Sequence, residues 1–133
     1  MAAVRAIFGE PTPSILSKTK VVLASRQGYM HVDGETGDLW VSKPYLEVAD
    51  ERYLYLDVIH ELVHVRQFQE GKELFDRRYE YVDRPTEIEA YRATLKEARR
   101  IGYKGKALVE YLRVDWVSEA DFMRFLDLLG VTH

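Results

Sequence analysis

The sequence predicts an α+β domain, in which a small antiparallel or mixed sheet is followed by a long central helix and a helical C-terminal half. Three observations predict it. Strand-like segments fall in the first third of the chain. Helical periodicity governs most of residues 50–129. Strands and helices do not alternate along the chain, which argues against a doubly wound sheet. The chain has 133 residues, one domain's worth, and is read as a single domain over 1–133.

Residues 1–20 read as a short leader with a turn at Pro11-Thr12-Pro13 and a helical or extended piece around Ile15–Lys18. Val21–Ser25 is β-branched and reads as a strand. Tyr29–Asp33 and Asp38–Ser42 pair as a hairpin around the turn residues Asp33-Gly34-Glu35-Thr36-Gly37. Pro44, which cannot donate to a ladder, ends the second strand. Asp50–Gln69 carries the strongest helical signal. Leu54, Val58, Leu62 and Val65 make one apolar stripe, with Asp50 as N-cap and Gly71 as stop. Residues 72–84 read as a loop or short helix. Asp83 then caps a second helix with Pro85 in its first turn and Gly102 after its end. Two further helices are expected at Lys106–Val114 and at Ser118–Leu129, the latter capped by Ser118 and stopped by Gly130. Trp40, Trp116, Phe122, Phe125 and Leu126 are expected in the core.

Composition narrows the function. Hydrophobic residues are 47% and charged residues 31%, ordinary globular values that exclude collagen-like and disordered readings. A formal charge of -3 argues against a nucleic-acid binder that neutralises phosphates. With no cysteine, disulfide scaffolds and thiolate metal sites are impossible, so a transition metal must be held by His, Asp or Glu. No apolar run reaches the roughly 18 residues of a membrane span. The N-terminus meets Gly9, Glu10 and two prolines before signal-peptide length. A soluble cytoplasmic protein is expected, with no nucleic-acid or membrane partner; nothing in the chain specifies an oligomeric state.

The chemistry-bearing feature is His60-Glu61-Leu62-Val63-His64 on the strongest helix. Residues four apart on a helix differ by about 40°, so both imidazoles can reach one ion. Zinc accepts such nitrogens at about 2.0–2.1 Å. Glu61 sits about 100° round from His60, beside the metal rather than on it, as a general base for a metal-activated water needs. The core stripe lies about 130° from the histidines. The helix is therefore expected to have two dedicated faces, with Tyr53, Asp57 and Phe68 on the site side. Asp57 is expected either to orient a histidine or to end in solvent. His31, on an alternating strand, reads as an exposed or hydrogen-bonded residue rather than a ligand. Lys96, Arg99, Arg100, Lys104 and Lys106 read as a solvated helix end.

A third protein ligand leaves one position open for water. The second helix offers Glu87 and Glu89, which lie about 200° apart, so only one can point inward.

HELVH followed 23 residues later by Glu87-Ile-Glu89-Ala90-Tyr91 resembles the gluzincin clan of zinc metallopeptidases. Their pattern is HExxH, then a glutamate ligand on a following helix in an E-x-x-(A/S)-D-like setting. Aligned residue by residue, the ligand falls on Glu87 with Ala90 as the small residue, and Glu89 is the second choice. Tyr91 stands where the clan usually has Asp or Asn. Arg66 stands where zincins usually have an apolar residue. In size the chain resembles the minigluzincins and small bacterial zincin-like proteins. The motif resemblance covers residues 57–93.

The resemblance implies a zincin-like fold and a zinc-dependent peptidase acting on a peptide or protein. His60, His64 and Glu87 would hold Zn2+, and Glu61 would deprotonate the water and later protonate the leaving amine. Tyr79, Tyr81 and Tyr91 are candidate oxyanion donors. Leu39–Ser42 is a candidate for pairing with an extended peptide by strand addition. The C-terminal helices are placed to cover the cleft and make the isolated chain latent. Two other readings compete: a zincin-like metal-binding module with a regulatory role and little hydrolysis, and an α+β interaction domain without metal.

Overall fold

A computed structural model describes Ile7 and residues 19–133 of the chain; the rest of the leader, with its Pro11–Pro13 turn and the piece around Ile15–Lys18, lies outside the described residues. The architecture is α+β. Three short strands, β1 (Val21–Ala24), β2 (Met30–Val32) and β3 (Leu39–Ser42), precede five helices among the described residues. These are α1 (Lys43–Val48), α2 (Glu51–Gln69), α3 (Pro85–Arg100), α4 (Lys106–Leu112) and α5 (Glu119–Leu128). A 3-10 turn at Tyr81–Asp83 leads into α3.

The sheet is mixed, in the order β1-β3-β2. β2 and β3 form the expected hairpin, with Val32 opposite Leu39 and Met30 opposite Val41. The turn holds because Asp33 Oδ1 accepts from the amides of Glu35 (2.8 Å) and Thr36 (3.3 Å). Gly37 is required twice over. Its φ is +78°, and a Cβ there would lie 2.5 Å from the Phe68 ring. β1 crosses over to pair parallel with β3, Val21 opposite Leu39. β3 is therefore the central strand, both its edges are taken, and it cannot receive a peptide by strand addition. Among the described residues the unpaired edges of this sheet are the outer edges of β1 and β2.

Pro44 does end β3, but a helix begins at once. Ser42 Oγ accepts from Tyr45 N (3.4 Å) and Pro44 fills the first turn, where a missing N–H costs nothing. In α2, Asp50 Oδ1 caps the amide of Arg52 at 2.8 Å as expected. Asp83 does not cap α3. Arg84 occupies that position without a side-chain bond, and Asp83 pairs with Arg124 of α5 at 3.0 Å. Ser118 caps α5 through the amide of Asp121 (3.2 Å).

Two apolar clusters meet on α2. One joins the inner face of the sheet (Met30, Val32, Leu39, Val41) to Ile59, Leu62 and Val65. The other gathers Leu56 with Leu95, Leu112, Phe122, Phe125 and Leu126 of the helical half. Each of those six is at most 1% exposed, and truncating such a side chain to Ala costs about 2–5 kcal/mol. The helix does not have two dedicated faces. Leu56, Ile59 and Val63 form a third buried stripe, and every residue from Ile59 to Val65 is buried. No helix among the described residues is long and apolar enough to cross a membrane.

Candidate metal centre

α2 carries His60, Glu61 and His64, and α3 packs alongside it carrying Glu87. Helical spacing brings the two Nε2 atoms to 3.1 Å. Glu87 Oε1 lies 2.5 Å from His64 Nε2 and 3.7 Å from His60 Nε2. All three side chains are buried, and their ligand atoms lie within 4.8 Å of one another. A tetrahedral ion bound at about 2.0–2.1 Å holds its ligand atoms about 3.3–3.4 Å apart, so the observed separations bracket what such an ion requires. The group can hold a metal ion with little side-chain movement.

The two second-helix glutamates part company. Glu87 faces the histidines, while Glu89 faces Gln67, Arg66 and Lys72. Gln67 is fully buried. Its Oε1 lies 2.7 Å from His64 Nδ1, and its Nε2 donates to Thr86 O (3.0 Å) and Glu89 Oε1 (2.7 Å). The amide is therefore oriented with its acceptor toward the imidazole. That makes Nδ1 the donor and leaves Nε2 free to ligate. Arg66 holds Glu89 at 2.9 Å, which gives a polar residue at that helix position a structural reason.

His60 is held differently. Its Nδ1 is buried without a partner, and the ring lies against Tyr91 at 4.3 Å between centroids. Tyr91 packs on Phe125 in turn, and its hydroxyl pairs with that of Tyr81 at 2.6 Å. Where the gluzincin pattern has a hydrogen-bonding Asp or Asn, this chain places an aromatic face.

Electrostatics follow from burial. For Glu61, removal from water pushes the carboxyl pKa up to about 7, against the opposing pull of His60 and His64. Burial would also raise Glu87, but hydrogen bonds from both histidines overcome it and hold the carboxyl well below its ordinary range. Burial would lower His64, yet the bond to Glu87 and that residue's charge raise it. Tyr81 is pushed up by burial first, then by the neighbouring Tyr91 and Glu87. Its phenol stays protonated and paired with the Tyr91 hydroxyl.

A cavity of about 440 Å³ opens onto Glu61, His60 and His64. Glu61 lines this space, and its Oε2 is buried with no hydrogen-bond partner. Tyr81 and Tyr91 also border it, whereas Tyr79 is 42% exposed and lies outside, which removes it from the candidate donors. Trp116 is not core. It is 63% exposed, stands at the cavity rim, and touches Tyr81 ring edge to face at 5.7 Å. Phe68 leaves the site side to pack against Gly37 and the sheet cluster. His31 is exposed and stacks on Trp40 at 6.4 Å. Asp57 neither orients a histidine nor ends in solvent. It accepts the hydroxyls of Tyr45 and of Tyr111, the latter at 2.8 Å.

Gln67 and the Tyr45–Asp57–Tyr111 group escaped the sequence reading. For Gln67 a signal exists, because position i+3 from a helical histidine shares its face. For the tyrosines none exists, since three helices must first come together. Comparison with known protein families, curated proteins and solved structures found no match to the chain.

Proposed function

We propose that the protein is a zinc-dependent metallopeptidase that hydrolyses a peptide or protein substrate. One observation carries the reading: a buried His60–His64–Glu87 group shares a cavity with Glu61, whose buried carboxylate oxygen has no protein partner. Two neutral imidazoles and one carboxylate match the donor set of catalytic zinc. When bound, zinc supplies Lewis-acid polarisation of a carbonyl and a water made acidic enough to lose its proton near neutrality. Glu61 would accept a proton from the attacking water and return one to the leaving amine. Tyr81 and Tyr91 border the cavity, and the hydroxyl of this pair whose proton is not given to the other is the donor for a developing oxyanion. Gln67 fixes the His64 tautomer, and Tyr91 fixes the His60 ring by packing. The free edge of β2, with Met30 and His31 on the cavity rim, offers backbone groups to an extended substrate.

The test is metal stoichiometry by elemental analysis and native mass spectrometry, on protein purified without chelator or a His tag. About one zinc per chain is expected, lost in Glu87→Ala and kept in Glu89→Ala. Failure to take up added zinc would sink the reading. A hydrolysis assay then follows: Glu61→Gln should keep the metal and lose turnover, and unchanged turnover would remove the mechanism.

A further inference from the structure

The cavity beside Glu61 has a second set of walls that hydrolysis itself does not use. Tyr45 of α1, Tyr53 and Asp57 of α2, and Glu110 and Tyr111 of α4 all line it. The Asp57 carboxylate is anchored by the hydroxyls of Tyr45 and Tyr111, and Tyr53 meets Tyr111 edge to face at 5.1 Å. The Asp57 carboxylate thus sits at the hydroxyl ends of two tyrosines, with the ring of a third and the exposed side chain of Glu110 lining the same wall. Neither acid forms an ion pair among the described residues. The cavity's arginines are committed elsewhere. Arg113 pairs with Glu119 at 2.9 Å and lies over Phe122, and Arg84 Nε donates to Asp76 O at 3.3 Å.

Carboxylates and tyrosine rings lining one cavity wall both attract organic cations, and partial burial strengthens the attraction. Asp57 precedes His60 by three residues, about 4.5 Å along the helix axis. A cation held there sits within about one residue of the bond that the metal group would act on. We infer that this wall is a cation subsite, taking an ammonium or guanidinium group next to the scissile bond. The cation is a lysine or arginine side chain, or the free α-amino group of the substrate. The word substrate rests on the peptidase reading; the cation preference does not.

Three probes separate these cases: Nα-acetyl-lysine amide, norleucine amide and the neutral Nα-acetyl-norleucine amide. Each is titrated into the whole chain, with and without zinc, and followed by NMR shift perturbation. At least one cationic probe should bind about tenfold tighter than the neutral one, and which one does so identifies the source of the cation. Asp57→Asn should abolish the preference. Glu110→Gln, at an exposed position that leaves the fold intact, should reduce it about threefold. Equal binding of all three probes, or a preference that survives Glu110→Gln and a folded Asp57→Asn, would overturn the inference. Absence of zinc uptake together with a cation preference in the metal-free chain would strike the peptidase reading alone. Zinc uptake and hydrolysis without the preference would strike the subsite alone.

Discussion

His60 and His64 lie one turn apart on the same buried helix, yet their rings are held by different physics. His64 ends a polar chain that runs through Gln67 to Glu89 and Arg66. His60 has an unpartnered Nδ1 and rests on the Tyr91 ring, which Phe125 and Tyr81 hold from behind. The first arrangement sets a tautomer. The second sets only a ring position. Two histidines of one candidate metal group therefore differ in what a substitution nearby can disturb.

The largest effect should come from the residue that both histidines share. Glu87→Ala removes the oxygen lying near both Nε2 atoms. Zinc affinity, read by competition with a chromophoric chelator, should fall by more than about 100-fold, beyond the range of any outer partner. A fall below tenfold would mean that Glu87 is not a ligand. Next comes the His64 side. Gln67→Leu keeps the volume but removes the tautomer-setting acceptor, and should weaken zinc about 10–100-fold with the helical circular dichroism retained. An unchanged affinity would erase the difference between the two histidines.

A pH series sharpens the same contrast. In the chelated protein the His64 pKa is raised to about 9, with burial outweighed by Glu87. A raised imidazole contributes stability that is fully present below its ordinary value of about 6.5 and is lost as pH rises through about 9. The chelated protein should therefore lose thermal stability between pH 6.5 and 9. Each 1 kcal/mol lost lowers Tm by about 3–5 °C in a chain of this size. Zinc needs the unprotonated imidazole, so its stabilising effect should grow over the same interval. Parallel curves with and without zinc would contradict the assignment. The smallest effect is expected on the His60 side. Tyr91→Phe removes the hydroxyl that pairs with Tyr81 but keeps the ring against His60, and should change zinc affinity by less than about threefold. Tyr91→Ala, which removes the ring itself, should cost more.

The readable parts of this molecule are those fixed by short-range geometry. The i,i+4 histidines, the Asp33 turn and the Asp50 and Ser118 caps depend on residues within a turn of one another. Glu87 over Glu89 required the family resemblance, because helix phase alone excluded neither. Other features depended on distant partners. The parallel pairing of β1 with β3, and hence the loss of β3 as an edge, follows from a crossover that no local pattern encodes. Asp83 turned to Arg124, forty-one residues away, instead of capping its own helix. Trp116 looked like core because large aromatics usually are, but aromatic rims of cavities draw on the same residues. Helix α1 carries a local signal, Ser42 followed by Pro44, in which one proline both ends a strand and opens a helix.

The unbroken burial of Ile59–Val65 has a consequence for how the chain opens. Amide protons exchange with solvent through partial unfolding that starts where packing is thinnest, and reach the most enclosed segment last. The candidate ligands on α2 stand in the stretch that only global unfolding releases. Deuterium should therefore enter α1 and the α4–α5 link, which form cavity walls, long before it enters the backbone around His60 and His64. The walls of the cavity can breathe while its floor keeps its shape.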